Sequence, residues 1–315
     1  MANFGVYTPY ETLKEYLSIP AAQVSDDKLL SAFTEQASRK FDAFCHGRHF
    51  YPIRQARSYD APASPSPAFG GYYNSWNSTF PNIPPITVDN TLLELDDDLL
   101  EVATLTTNNG STTISDYLLM TGSTYNFPPY DKIQLKSDGA ITEFSFSGTP
   151  QSANTVTGTW GYHEQWGQAW QDSQDTVENN PLSDSGTSIT INDVDGANLF
   201  GFTPLFQYQQ LLRIESEYVY VTGKNTTTNT LTVIRGVNGT TAAAHVQNTP
   251  IYIYQPMAEI VLAMLTLATY AYRRKDNVGR DSDRGSTALG IVQMPAKLPA
   301  DVTDILDIYK RWTKS

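Results

Sequence analysis

One small group of side chains has the chemistry of a metal ligand set. Cys45, His46 and His49 lie close together in the sequence, and thiolates and imidazoles are the ligands that zinc sites use. A complete site needs four ligands, and no second cluster of such residues follows nearby. We therefore interpret these residues as polar side chains at a helix end. The other two histidines, His163 and His245, are interpreted as structural, and we predict no metal site.

Carboxylates form the second group with a possible chemistry. Asp96, Asp97 and Asp98 are flanked by Glu94 and Glu101, and oxygen ligands of this kind suit a hard cation. Their spacing is not that of a calcium-binding loop, so an exposed acidic turn is the favoured interpretation. Whether Asp96–Asp98 binds a cation stays open at this point.

No catalytic signature accompanies these groups. The sequence contains no GxSxG, Walker or dinucleotide-binding glycine pattern. A glycosidase with paired carboxylates is conceivable, but no spacing supports it. The single cysteine excludes an internal disulfide framework. We predict that the protein is not an enzyme and uses no cofactor.

Charge is distributed unevenly along the 315 residues. The chain carries 21 basic and 33 acidic side chains, of which 16 and 14 lie in residues 1–60 and 256–315. Residues 61–255 therefore hold 5 basic and 19 acidic side chains, a net charge of −14. Such a segment repels phosphate backbones, so we expect no specific grip on nucleic acid. It is compatible with a passage through which DNA slides, and also with ordinary solubility.

Two helical patterns stand at opposite ends of the chain. Between Ser25 and Gly47 the residues Leu30, Phe33, Ala37, Phe41 and Phe44 follow helical spacing and form an apolar stripe. A second helix, predicted from Pro256 to about Lys275, is apolar nearly all round and must be covered by neighbours. The N-terminal stripe is its expected partner. The apolar run from Met257 to Tyr272 is too short for a membrane span, and no signal peptide is visible, so we expect assembly in a cytoplasm without membrane contact.

A terminal helix is predicted from Pro299 to Trp312. Its apolar stripe consists of Val302, Ile305, Leu306, Tyr309 and Trp312. An amphipathic helix at a chain end often docks on another surface, either of its own chain or of a partner.

Residues 61–90 form an extended loop in which prolines alternate with aromatic residues. A solvated linker does not need five aromatic side chains, so we expect this loop to pack, either on its own domain or on a neighbouring subunit. The candidates for contacts between subunits are Phe69, Tyr72, Tyr73, Trp76 and Phe80.

Most of the remaining sequence has β character. Ile133 and Leu135 alternate with polar residues, as do Phe144 and Phe146, and the turn sequence Asn108–Gly110 predicts a hairpin. The polar stretch 165–185 suggests a linker or a domain boundary. Later short strands are predicted around Ile189/Ile191, Leu212/Ile214, Tyr218–Val221, Leu231/Val233 and Ile251/Ile253, which suggests a small barrel or sandwich.

The order of these segments is similar to that of a known family. The motifs are "YETLKEYLSI", "SDDKLLSAFTEQASRKFDAFCHGR", "NTVTGTWGYHE" and "PMAEIVLAMLTLATYAYRRKD", followed by a terminal helix. Together they resemble the head-tail connector (adaptor) proteins of tailed bacteriophages, over about residues 8–60, 150–164 and 255–313. The segment "YVYVTGKNTTTNTLTVIRGVNGTTAAAHVQNTPIYIY" resembles a β segment that recurs in phage structural proteins. The sequence departs from the family in the ninety or so residues between Glu164 and Gln255.

The resemblance implies an α+β fold: a small helical adaptor core made from both chain ends, with large β insertions. The core would comprise residues 1–164 plus 255–315, and residues 165–254 would be an inserted β domain. It also implies a virion protein of the neck, a ring of twelve copies that joins the portal protein to a tail-completion, stopper or tail-tube protein. DNA would pass through its channel during genome ejection without specific binding.

Carried over to this sequence, the terminal helix is the candidate portal-docking element. Its residues are Val302, Ile305, Leu306, Tyr309, Lys310, Arg311 and Trp312. The alternative function is a tail-associated protein that binds a receptor or glycan, which the aromatic loop and the β insertion suggest.

Overall fold

The structure is a computed structural model that describes residues 4–61, 89–122, 127–274 and 298–311. It combines helices with two antiparallel sheets, which confirms the predicted α+β class. The described residues form four α-helices: α1 (Tyr10–Tyr16), α2 (Asp27–Phe44), α3 (Ala258–Arg274) and α4 (Ala300–Asp307).

The chain divides into two compact units. One contains residues 1–53 and 161–315, and the other contains residues 54–160. This division does not follow the predicted boundaries at 164/165 and 254/255: residues 165–254 group with both chain ends. The predicted inserted β domain therefore stays a prediction.

The unit of residues 54–160 is built on the first sheet. Its strands are β1 (Ile53–Tyr59), β2 (Leu92–Thr107), β3 (Thr112–Thr113), β4 (Tyr117–Met120), β5 (Tyr130–Leu135) and β6 (Asn154–Trp160). The order is β1-β6-β2-β5-β4, with β3 paired to β2. Ile133 and Leu135 are buried as their alternation predicted, whereas Phe144 and Phe146 lie outside the strands. Phe144 is buried in the apolar cluster of this sheet, whereas Phe146 is exposed.

The second sheet belongs to the larger unit. Its strands are β7 (Trp170–Thr176), β8 (Ser188–Thr190), β9 (Leu211–Ile214), β10 (Glu217–Asn225), β11 (Thr230–Ile234) and β12 (Pro250–Tyr254). They are ordered β7-β12-β9-β10-β11-β8, and their inward residues form one apolar cluster. The strands predicted from Ile189 to Ile253 are confirmed.

The stretch 165–185 is not the linker that its polar composition suggested, because it contains β7. Its acidic residues serve the backbone. The buried carboxylate of Asp175 accepts hydrogen bonds from the backbone N–H groups of Thr176, Asn192 and Asp193 at 2.7 to 3.0 Å. A polar side chain that satisfies buried backbone donors is part of the fold rather than of a solvated connection.

The helices share one core with each other, as the apolar stripes predicted. Phe33, Phe41, Met264 and Leu267 belong to a single buried cluster, to which α4 also contributes. Burying these large side chains removes several hundred Å² of apolar surface from water, and each Å² buried stabilises the folded state by roughly 25 cal/mol. Residues more than two hundred positions apart are thereby joined in one helical body.

Candidate functional site

The terminal helix α4 is packed into its own chain. Val302, Leu306 and Tyr309 are buried in the cluster of α2 and α3. The Tyr309 ring meets the rings of Phe50 and Tyr162 edge to face, with centroids 5.8 and 5.7 Å apart. The apolar stripe is therefore filled by intramolecular packing, and any docking surface on this helix has to use its outward face.

The remaining docking candidates lie nearer to solvent. Ile305 is partly buried against the same cluster, and Lys310 pairs with Asp307 at 2.7 Å while lying 4.2 Å from the Phe44 ring centre. The backbone N–H of Arg311 donates to the carbonyl oxygen of Cys45. Trp312 lies outside the described residues. Ile308, which was not among the sequence candidates, is the most exposed large apolar residue of this segment.

Cys45 and its neighbouring histidines do not form a metal site. Cys45 is buried in the helical core, where burial raises the pKa of its thiol to about 12. A ring nitrogen of His46 lies 3.0 Å from the carbonyl oxygen of Arg311. Within the ranges that the structure describes, no group of three or more Cys, His, Asp and Glu side chains could hold a metal ion.

The carboxylates of Asp96–Asp98 lie in β2, so the predicted exposed turn is wrong. Arg57 on β1 pairs with Asp96 at 3.1 Å and with the nearly buried Asp97. Tyr59 also donates to Asp96, at 2.6 Å. Partial burial opposes ionisation of Asp96, but these hydrogen bonds outweigh it and hold its pKa below the usual value. Arg57, on a strand that lies two places from β2 in the sheet, thus offsets part of the negative charge of this cluster.

A buried ionic network in the second sheet was missed by the sequence reading. Glu217 on β10 is almost fully buried and forms a two-pronged ion pair with Arg235, with both N···O distances at 2.7 Å. His245 contacts the same carboxylate at 2.8 Å and Glu215 at 2.8 Å. Burial alone would raise the pKa of Glu217, but the hydrogen bonds from Arg235 and His245 keep it below its ordinary value.

This network fixes a long loop between β11 and β12. Arg235 also donates to the carbonyl oxygens of Ser183, Gly186 and Ala243, at 2.6 to 3.0 Å. Glu217 accepts from the backbone N–H groups of Gly236 and Ala243 as well. The guanidinium of Arg235 thus donates to backbone carbonyl oxygens and to Glu217, while the Glu217 carboxylate also contacts backbone N–H groups and His245. The sequence signals that could have revealed this network are Arg235-Gly236 and Ala242–His245, and the arrangement of these residues is structural.

His163, predicted to be structural, also has a defined role. One ring nitrogen lies 3.0 Å from the carbonyl oxygen of Gln255, and the other accepts from the backbone N–H of Gln165 at 3.1 Å. Burial lowers the pKa of this imidazole. A neutral ring that donates on one side and accepts on the other joins the chain after β6 to the chain before α3.

The aromatic residues proposed for contacts between subunits lie outside the described residues. They are Phe69, Tyr72, Tyr73, Trp76 and Phe80. No helix in the described part of the chain is long and apolar enough to cross a membrane. No protein-family model, no curated protein and no solved structure matches this chain.

Proposed function

We propose that this protein is a structural component of the neck of a tailed bacteriophage virion. It forms an adaptor ring between the portal protein and a stopper, tail-completion or tail-tube protein. The observation that carries the proposal is the single helical core built from both chain ends, in which Phe33 and Phe41 pack with Met264 and Leu267. The sequence resemblance depends on that packing.

Charge supports the same role. Residues 61–255 carry a net charge of −14, which suits a wall along which a DNA duplex slides without being held. The carboxylates described above also support a role in assembly rather than in catalysis. Asp96 and Asp97 are already paired with Arg57, and Glu217 is paired with Arg235.

We further infer that the second sheet curls into a small barrel. β7 and β8 are the two edge strands of this sheet. The residues that follow β7 nevertheless contact β8, because the backbone N–H of Glu178 donates to the carbonyl oxygen of Thr190 at 2.8 Å. Inward residues of the strands share one core. Such a barrel is a rigid base for surface loops.

Recruitment to the portal tests the proposal. The purified chain is mixed with tail-less capsids that carry the portal protein of the same genome, and the particles are imaged by negative-stain electron microscopy. We expect additional ring density at the portal vertex. Deletion of residues 299–315 removes buried side chains of α4 and destabilises the core. A loss of recruitment could then reflect misfolding, so a surface variant is more informative. Ile308→Glu combined with Lys310→Glu is expected to abolish recruitment while circular dichroism stays unchanged.

A folded chain that is never recruited to portal-bearing capsids would overturn the proposal. The alternative, a tail protein that binds a receptor or glycan, predicts a trimer that binds host-surface glycans instead. On the described surface, Trp170 and Tyr252 flank Arg213 with ring centres 4.9 and 4.8 Å from its guanidinium carbon. Trp170 also stacks on Tyr218, so its ring is already engaged by two neighbouring side chains, which disfavours this group as a sugar platform.

A further inference from the structure

An apolar turn projects into solvent between β8 and β9. Leu199, Phe200 and Phe202 are 58%, 70% and 67% exposed. Large apolar side chains elsewhere in the described second sheet are mostly buried. We call residues 199–202 the apolar knob. Single exposed apolar residues are ordinary on protein surfaces, but three of them within one turn form a patch of the kind that marks an interaction site.

Hydrogen bonds hold the apolar knob in one conformation. The side-chain oxygen of Asn198 accepts from the backbone N–H groups of Phe200 and Phe202 at 3.0 and 2.9 Å. The Asn198 N–H donates to the carbonyl oxygen of Phe202 at 2.8 Å, and Gly201 has a φ of +82°, which glycine tolerates. Because the turn is already ordered, a partner that binds it loses little conformational entropy.

The base of the knob is anchored in the β core. Val194 and Phe206 on either side of it are fully buried, and the Phe206 N–H donates to the Val194 carbonyl oxygen at 3.1 Å. Lys224 on β10 donates to the Phe206 carbonyl oxygen, also at 3.1 Å. The knob is therefore mounted on a packed scaffold.

Negative charge borders the knob. Asp193 and Asp195 are both exposed, and among the described residues neither forms an ion pair. Two exposed negative charges disfavour an anionic lipid surface, where Lys and Arg are the residues that bind. The features instead fit a protein surface that is apolar with a cation at its edge.

The chain itself carries a surface of that kind on α3. Leu262 and Tyr270 are 51% and 43% exposed and lie on one helix face with the half-buried Thr266 between them. Of all exposed large apolar residues in the described chain, Leu262 and Tyr270 are the two that lie on the same helix. Arg273, also exposed, follows on the same face and supplies the cation.

We propose that the apolar knob of one copy packs on the exposed face of α3 of a second copy. Phe200 and Phe202 would cover Leu262 and Tyr270, with Asp193 and Asp195 near Arg273. Different surfaces meet in such a contact, and repetition of it generates a ring when the rotation closes. In the proposed neck ring this contact would be the interface between subunits, and that assignment rests on the proposed function.

Complementary variants test the contact directly. Sedimentation velocity is run on the full chain alone, over rising concentrations. We expect wild type to assemble beyond a monomer, and Phe200→Asp and Leu262→Asp each to remain monomeric. An equimolar mixture of the two variants retains one intact knob and one intact α3 face, so it is expected to form a dimer and nothing larger. Val246→Asp, a change of an exposed apolar residue elsewhere, is the matched control and is expected to assemble normally.

Several outcomes would overturn the contact. These are a wild-type chain that stays monomeric at every concentration, a Phe200→Asp variant that assembles normally, or a variant mixture that does not pair. Binding of wild type to phosphatidylcholine vesicles that Phe200→Asp loses would assign the knob to lipid instead. Recruitment of the same variants to portal-bearing capsids is scored separately. Assembly without recruitment therefore contradicts the neck function but leaves the knob contact standing.

Discussion

Tyr7 donates its hydroxyl hydrogen to the carboxylate of Asp42 on α2, and the backbone N–H of Phe50 donates to the same hydroxyl oxygen at 3.0 Å. The three residues tie the segment before α1 and the segment after α2 to the helical core. Burial raises the pKa of Asp42 to about 7, although the hydrogen bond from Tyr7 and the nearby Arg39 act in the opposite direction. The carboxyl group therefore titrates near neutral pH.

This pKa predicts that stability falls as the pH rises. Between the unfolded pKa of 3.8 and the folded value of about 7, the folded chain binds the Asp42 proton more tightly than the unfolded chain does. The free energy of unfolding then decreases with pH across that window. Asp42→Asn keeps an acceptor for Tyr7 without a charge. At pH 8 we expect it to be more stable than wild type by roughly 1–4 kcal/mol, with the difference shrinking toward pH 4.

Urea unfolding at pH 4, 6 and 8 measures this difference. Asp301→Asn on the exposed side of α4 is the control and should leave the pH dependence as in wild type. An Asp42→Asn variant with the wild-type pH profile would contradict the assignment of the titration to Asp42.

The ion pair of Glu217 and Arg235 predicts a large loss of stability when one member is removed. Glu217→Gln leaves the buried guanidinium without its charge partner, which typically costs about 3–5 kcal/mol. Arg235→Lys keeps the charge but loses the planar two-pronged geometry, and we expect a smaller loss. Urea unfolding at pH 7 measures both. The contribution of Glu217 is present above its unfolded pKa of 4.5 and disappears as the pH falls through the lower folded pKa.

The exposed Glu215 provides a control for that experiment. It contacts His245 on the side away from Glu217 and is largely solvated. Glu215→Gln is expected to change stability by less than about 1 kcal/mol. Equal losses for the Glu215 and Glu217 variants would show that the buried carboxylate is not the centre of the network.

Local periodicity was sufficient to predict the elements whose apolar residues face one core. The spacing of Phe33, Ala37 and Phe41 fixed α2 and its partner, and the alternation of Leu231 and Val233 fixed β11. These patterns depend only on residues within one element, so the sequence displays them directly.

Predictions were wrong where a distant residue changes the meaning of a local pattern. Asp96–Asp98 look like a solvated turn until Arg57, some forty positions earlier, is placed beside them. The acidic stretch around Asp175 looks like a linker until its carboxylate is seen to accept backbone N–H groups near Asn192. The Glu217 network and the apolar knob were missed for the same reason, because only the folded chain shows which side chains are paired and which are exposed.

The burial of α4 predicts that the terminal segment is part of the core. Leu306→Ala leaves a cavity beside α2 and α3, and such changes typically cost about 2–5 kcal/mol. Ile308→Ala changes an exposed side chain of the same segment and should stay within about 0.5 kcal/mol of wild type. Hydrogen exchange read by mass spectrometry localises the effect, and we expect faster exchange in α4 for Leu306→Ala alone. Similar exchange in both variants would contradict the packing of α4.

The last prediction concerns the acidic residues of β2 and added calcium. In wild type, Arg57 already pairs with Asp96 and Asp97, and its guanidinium carbon lies 4.5 Å from the Trp160 ring centre. Calcium has no free carboxylate pair to bridge there, so millimolar CaCl2 should leave hydrogen exchange in β1, β2 and β6 unchanged. Arg57→Met leaves the nearly buried Asp97 without this cation and should accelerate exchange in these strands.

Calcium is then expected to restore part of that protection, because two carboxylates without their cation can share a metal ion. Lys136→Met, which removes a positive charge elsewhere in the same unit, is the control and should show neither effect. Calcium-dependent protection of wild type would mean that the acidic cluster binds a cation in spite of Arg57. Loss of protection in Arg57→Met that calcium does not reverse would limit the role of the cluster to its ion pair, because the carboxylates would then be held too far apart to act as ligands.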